Sequence, residues 1–520
     1  TENILGVCVN NKVQNLNYRI YSPKTVEFLD INTTNGRRMY AFSLMFMLYR
    51  AVKELYPESE LYIQHSMSDG YFCEINNLEE SMPQAIGKLK ERMCRMVEEN
   101  IPFLRKIIPV AEAAELFERL GMKEKAELIR NSNRLYANVD LLGEVVNMFF
   151  FELVPSTAYL QVFDLYAFDD GFILQMPSKE DPSQTPKQHT KDLKLFSIFR
   201  EHKNWVRILG TPYVNMLNKA VEYNKQNELI QVSEALHEKK YAEIADNIYR
   251  RKDEVKLVLL AGPSSSGKTT SCRRIATQLS VLGFKPLQIS LDDYFVDREH
   301  TPKDASGNYD FECIEALDLD FFNYQMKELL SGAEIELPRF DFISGKRVQS
   351  GNRLKMKANS ILIVEGIHAL NPHLTDKIEA KNKYNVFVSA MTQLALDRHN
   401  LISSSDNRLL RRIVRDNNYR GYSAQDTILR WDSVRSGEEK HIFPYQENAD
   451  SIFNSSLLYE IGVLKPTAEK LLFEVAQNSP AYSEARRLQN FLSEFKSIKT
   501  DFIPPTSIMR EFLGGSSFAY

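Results

Sequence analysis

Apolar and polar positions change rhythm several times along this chain. In residues 1–30 they alternate in short runs, Ile4-Leu-Gly-Val-Cys-Val9 and Val26-Glu-Phe-Leu29, which predict strands with an Asn10-Asn11 turn between them. Asn35-Gly36 reads as another turn. Residues 39–55 then predict a helix, because Met39, Phe42, Phe46, Tyr49 and Val52 mark successive turns. Residues 61–75 predict a hairpin turning near Asp69-Gly70, and residues 82–99 a strongly amphipathic helix. Helices are expected over 110–120 and 123–132, strands over 157–163 and 171–176, and a polar loop over 177–191. Residues 213–251 are charged and helical, with Leu217, Val221, Leu229, Leu236 and Ile244 near one face; they read as a connector. Beyond it the pattern turns to short, mostly apolar runs, Val255-Lys-Leu-Val-Leu-Leu260, Pro286-Leu-Gln-Ile-Ser-Leu291 and Ser360-Ile-Leu-Ile-Val364. Runs of this kind predict strands buried on both faces of a parallel sheet.

Composition narrows the class without choosing a function. At 520 residues the chain is too long for one core, and about three domains are expected. Hydrophobic content of 43% is ordinary for a globular protein, and a net charge of −4 argues against a general nucleic-acid coat. Five scattered cysteines without a CxxC pair fit a reducing cytoplasm and argue against a zinc site. No apolar run approaches spanning length, and no signal-peptide pattern opens the chain.

The first apolar strand of the second half runs into Ala261-Gly-Pro-Ser-Ser-Ser-Gly-Lys-Thr-Thr270, which fits the phosphate-binding G-x-x-x-x-G-K-[ST] loop. A helix follows, with Ile275, Leu279 and Leu282 at helical spacing. Gly262 and Gly267 permit the tight turn, and the amides of Pro263-flanking Ser264, Ser265 and Ser266 would surround phosphate oxygens. Lys268 would reach the β- and γ-phosphates, Thr269 would ligate Mg²⁺, and Thr270 completes the loop at the helix N-terminus. The second strand ends in Asp292-Asp293-Tyr294, where a carboxylate can accept the proton of an attacking hydroxyl; an Asp there could also cap a helix. The third ends at Glu365, placed to help hold Mg²⁺ directly or through water. Arg408, Arg411, Arg412 and Arg415 follow at i, i+3, i+4, i+7, a face that would suit a lid over phosphate, or else a solvated basic face.

Together these residues resemble the uridine kinase-like family of P-loop kinases over residues 255–480. The resemblance extends to Asn308-Tyr-Asp-Phe-Glu312, Pro338-Arg-Phe-Asp-Phe342, Gly345-Lys-Arg347 and Val364-Glu-Gly-Ile-His368. It implies an α/β fold, with helices flanking a parallel sheet, and Asp292 as general base. Lys268, Arg408, Arg411 and Arg415 would stabilise the transferring group, and Glu365 with Thr269 would hold Mg²⁺. Asp310 would bind ribose hydroxyls, and Tyr294, Phe340 and Arg347 would line the acceptor site. The implied substrates are ATP or GTP and a nucleoside. Phe340 and Gly345 stand where the family has a Tyr and a His that read the base, so the uridine/cytidine pattern is broken there. A phosphoribulose- or pantothenate-like alcohol is the alternative acceptor.

The front of the chain, about 1–225, resembles the N-terminal part of threonyl-tRNA synthetase through Gly36-Arg-Arg-Met-Tyr40, Ala51-Val-Lys-Glu-Leu-Tyr-Pro57 and Asp69-Gly-Tyr-Phe72. The resemblance implies a partial β-grasp segment (1–30) and an editing-type α+β domain (31–225). A helical connector (226–252), the kinase domain (253–480) and a tail (481–520) would follow. Phe42 and Phe46 replace the family's His-x-x-x-His pair, so hydrolytic editing is expected to be absent and both are read as core. His65 is a remnant site residue or a structural one. Front and back together resemble a bacterial group of long nucleoside kinases, expected in the cytoplasm, with a homo-oligomer and a regulatory RNA contact as open readings.

Overall fold

A computed structural model describes residues 4–67, 70–188, 194–303, 307, 309–341, 344–392 and 394–518. Asp69 of the expected turn, Asn308 and Phe342 of the matched motifs, and the end of the 177–191 loop lie outside them.

The front half is built around helix α1, Thr34–Leu55. It begins five residues earlier than the apolar rhythm predicts. The Thr33 side chain caps it by accepting from Gly36 N–H, and a Cβ on Gly36 would lie 1.8 Å from the Asp30 carbonyl oxygen. Asn35-Gly36 is therefore the first helical turn, not a loop. Strands Glu60–Met67, Gly70–Asn76, Asp164–Phe168 and Gly171–Gln175 form one antiparallel sheet. Two three-stranded antiparallel sheets accompany it, one from residues 6–29 and one from 103–147. The strand expected over 157–163 does not form. Thr157–Tyr159 is a short 3₁₀ turn, because the Thr157 hydroxyl bonds to the Met96 carbonyl and to Ile101 N–H instead of joining a ladder. Phe46 is fully buried, and Phe42 and Phe46 both pack on Phe149. His65 stacks on Phe199 at 3.8 Å and is pushed down to about 3 by burial, which leaves it a neutral packing residue.

The charged 213–251 stretch breaks at Asn224, whose φ is +56°, into Val214–Glu222 and α2, Gln226–Arg250. Strand β1, Leu257–Ala261, leads through the Gly-rich loop into α3, Lys268–Val281, and on to β2, Lys285–Ser290. Then come β3, Ser360–Glu365; β4, Lys383–Ser389; α4, Ser404–Arg420; and α5, Ala424–His441. Strand β5, Ser451–Asn454, and α6, Glu460–Phe473, follow, and α7, Met509–Leu513, lies near the end. The five strands form one parallel sheet in the order β2-β3-β1-β4-β5. All five residues of β1 are buried, as a central parallel strand requires. The chain leaves β1 to either side, so the loop after it sits at the topological switch point, where ligands of open α/β sheets bind.

Neither the connector nor the tail stands apart from this sheet. Tyr241 and Ile248 of α2 share one core with β1, with Ile508, Met509 and Phe512 near the C-terminus. Arg274 of α3 reaches Glu234 and Glu238 of α2. The loop before α4 enters the front half. Asp397 pairs with the buried Lys125 at 3.4 Å, and His399 meets Asn147 at 3.2 Å.

Candidate active site

The loop after β1 is shaped by close approach. A Cβ on Gly262 would lie 2.1 Å from the Val388 carbonyl oxygen, so no other residue fits there. Gly267 takes φ +83° as it opens α3, and Ser265 takes φ +57°. The Lys268 ammonium curls back to the Pro263 carbonyl at 3.1 Å, and Ser266 N–H bonds the same carbonyl at 3.3 Å.

Three strand ends meet beside it. In register, Leu260 of β1 and Ser290 of β2 both lie opposite Glu365 of β3. The hydroxyls of Thr269 and Ser290 reach the same Glu365 oxygen at 3.3 and 3.4 Å. Asp292 stands two residues beyond, on the 3₁₀ turn Leu291–Tyr294, with its N–H on Ser290 Oγ at 3.3 Å. Burial, then the Asp292 charge, push the Glu365 carboxyl up to about 7, with Lys268 opposing. This is a crowded set of hard oxygen donors, a hydroxyl and carboxylates, whose mutual repulsion a divalent cation would relieve. Thr269 and Glu365 thus fit Mg²⁺ chemically.

The Asp pair divides its work. Asp293 accepts the Phe340 N–H at 3.2 Å and so anchors the neighbouring hairpin, while Asp292 takes no side-chain hydrogen bond among the described residues.

Glu365 also gives the site a pH signature. Between its ordinary 4.5 and about 7, the unfolded carboxyl ionises while the folded one stays protonated. This group therefore takes stability away as pH rises through that window. Glu365→Gln removes the loss. The variant's Tm relative to the parent is expected to rise between about pH 5 and about pH 8 in metal-free buffer, and a difference independent of pH would contradict this placement.

Helix α4 brings its arginines to the loop, but not as a free lid. Arg408 bonds the Ser264 carbonyl at 2.9 Å and pairs with Glu438 of α5, whose carboxylate also accepts the Ser264 N–H at 2.9 Å. Arg412 reaches Ser264 Oγ at 2.9 Å. Arg411 has no exposed surface; it pairs with Glu460 of α6 and bonds the Ser455 carbonyl at 2.9 Å. It does not face a phosphate as the resemblance implies: a guanidinium sealed against Glu460 braces the loop from behind. Arg415 pairs with Asp416 at 2.8 Å, so protein carboxylates satisfy the charge repulsion of this face.

The expected acceptor-lining residues separate. Tyr294 is fully buried, its hydroxyl on Gln325 at 2.7 Å, and belongs to the core. Phe340 is 5% exposed and packs on Phe295, so its ring offers no open face to a base. Arg347 pairs with Asp318 at 2.8 Å, over the Phe321 ring. Asp310 is half-buried and accepts the Glu312 N–H at 3.0 Å. Gly345 has φ +68°, and a Cβ there would lie 2.8 Å from the Arg298 guanidinium, which fills that space.

Sequence reasoning gave no role to Glu312, the last residue of a matched motif, and missed Glu438, Glu460 and Glu511. The Glu312 carboxyl is pushed up to about 7 by burial and by Glu438, with Arg412, Lys268 and Asp292 also acting on it. One of its oxygens is buried without a hydrogen-bond partner among the described residues. No local pattern marks Glu438, Glu460 or Glu511, because the partners that place them at the loop are distant in sequence; 174 positions separate Ser264 from Glu438.

Residues 257–458 match the Phosphoribulokinase / Uridine kinase family. A uridine kinase of Staphylococcus aureus (strain JH9) is 30% identical over 198 residues, 38% of this chain and 86% of the relative. The uridine kinase of strain Newman matches with the same figures. Among solved structures, a D-glycerate 3-kinase from Cryptococcus neoformans var. grubii aligns with 49% of this chain and 87% of its own, at 12% identity and a TM-score of 0.24.

Proposed function

This chain belongs to the phosphoribulokinase/uridine kinase family, whose members are phosphotransferases acting on alcohols, and from that premise we propose that it transfers the γ-phosphate of ATP or GTP to the 5′-hydroxyl of a ribonucleoside. The observation that carries this reading is the meeting of Thr269, Glu365 and the Asp292 turn at one sheet edge beside Lys268. Asp292 accepts the hydroxyl proton and orients its oxygen; Lys268 turns from Pro263 to the phosphates. Arg408 and Arg412, already on Ser264, lie nearest the transferring group, while Arg415 is one turn further along α4. Mg²⁺ held by Thr269 and Glu365 would neutralise charge on the phosphates. Asp310 holds the ribose. In this reading residues 253–480 are the kinase domain, reinforced by α2 and by the 481–520 segment. By the Gly36–Tyr40, Ala51–Pro57 and Asp69–Phe72 motifs, the front 225 residues are a synthetase-like region without editing chemistry.

Incubation with Mg²⁺ and labelled ATP or GTP across a nucleoside panel tests it. Formation of a nucleoside 5′-monophosphate is expected; intact nucleotide binding with no nucleoside phosphorylated sinks it. A second acceptor class is favoured by one observation: the Arg298 guanidinium occupies the space over Gly345, which suits an anionic alcohol such as a sugar phosphate. Sugar phosphates therefore belong in the same panel.

A further inference from the structure

The last residues lie beyond the matched segment, 257–458, yet they reach the nucleotide loop. Ile508, Met509 and Phe512 have no exposed surface. Asn418 of α4 bonds the Phe512 carbonyl at 2.9 Å, and the Arg411 guanidinium lies 5.2 Å from the Phe512 ring centre. Ile508 covers Gly267, one of its methyl carbons 2.9 Å from where a Cβ would stand. This docking places the Glu511 carboxylate on Thr270. The same oxygen accepts the Thr270 hydroxyl at 2.6 Å and its backbone N–H at 3.2 Å.

That N–H is the third of α3, in the first turn, where the N–H groups point out of the helix start. In a phosphate-binding loop such donors face phosphate oxygens. A carboxylate and a phosphate oxygen cannot share them, because each brings negative charge to the same two hydrogens.

We propose that Glu511 is a built-in competitor of the nucleotide: its carboxylate holds the Thr270 donors as a phosphate oxygen would, and nucleotide binding displaces it and loosens the C-terminal helix. The C-terminal segment thereby sets the loop's affinity for phosphates. The inference rests on nucleotide binding at the loop and is independent of the acceptor.

The test uses the full chain and ADP, without acceptor, so a failed nucleoside panel leaves it readable. Glu511→Gln keeps the size of the side chain and removes its charge. ADP binding by titration calorimetry is expected to tighten about tenfold. Unchanged or weaker binding would overturn the proposal and make Glu511 a positioning residue for Thr270. The unmodified chain supplies an independent measurement. Saturating ADP should speed amide hydrogen exchange over residues 507–513, and slower or unchanged exchange there would overturn displacement.

Discussion

Asp292→Asn is expected to lower acceptor-dependent turnover by about 10²–10⁴-fold, the usual worth of a positioned general base. Nucleotide affinity should stay within about twofold, because Asp292 bonds no part of the loop in this fold and a lost base removes stabilisation made only in the transition state. Release of ADP with and without acceptor, beside a nucleotide titration, measures both quantities. Its neighbour gives the contrast. Asp293→Asn strips the Phe340 N–H of a charged acceptor and should appear in stability and acceptor KM before it appears in kcat. Retained turnover in Asp292→Asn, or a large loss confined to Asp293→Asn, would exchange the two assignments.

The second large effect concerns the brace behind the loop. Arg411 and Glu460 are 0% and 1% exposed. Removing one partner of such a pair leaves a buried charge uncompensated, which costs about 3–5 kcal/mol. The two halves are unequally protected. Glu460 also accepts from Asn407 Nδ2, Ser456 Oγ and Leu457 N–H, whereas the other hydrogen-bond acceptors of Arg411 among the described residues are neutral carbonyl and hydroxyl oxygens. Glu460→Ala should therefore destabilise more than Arg411→Met. The double variant Arg411→Met with Glu460→Leu should recover a large part of the loss, since well-packed apolar residues often replace a buried pair without penalty. Urea unfolding followed by the two tryptophans checks the order. Equal losses in the two single variants would show that the carboxylate's extra donors contribute nothing.

The arrangement of the loop and the acids at the strand ends was legible in sequence because it is local. A strand, a Gly-rich turn and a helix are contiguous, and the acids Asp292 and Glu365 close the apolar runs that predict β2 and β3. Repeating apolar runs and a phosphate loop together demanded a parallel sheet. The register that sets Ser290 and Leu260 opposite Glu365 follows once those strands pair. The arginines were legible as a face of α4, but not in their partners. Charge at i, i+3, i+4, i+7 states that anions must be near; it does not say whether they are phosphates or Glu438, Glu460 and Asp416.

Aromatic residues misled for a related reason. Tyr294 and Phe340 sit in segments that resemblance assigns to the acceptor, yet side-chain direction is decided by what packs behind them, Gln325 and Phe295. Asn35-Gly36 shows the same limit at the backbone. Its composition favours a turn, and the Thr33 cap with the Asp30 carbonyl at Gly36 makes it helix.

By itself, then, the sequence determined a parallel α/β unit with a phosphate loop, a candidate base and a candidate metal acid, because each depends on residues within one strand-turn-helix step. Only the tertiary structure decided which charges neutralise the arginines, which of two adjacent aspartates is tied to the neighbouring hairpin, and that a carboxylate from the far end of the chain rests on Thr270. Those are contacts across 47, 49 and 241 positions, and no local spacing rule reaches that far.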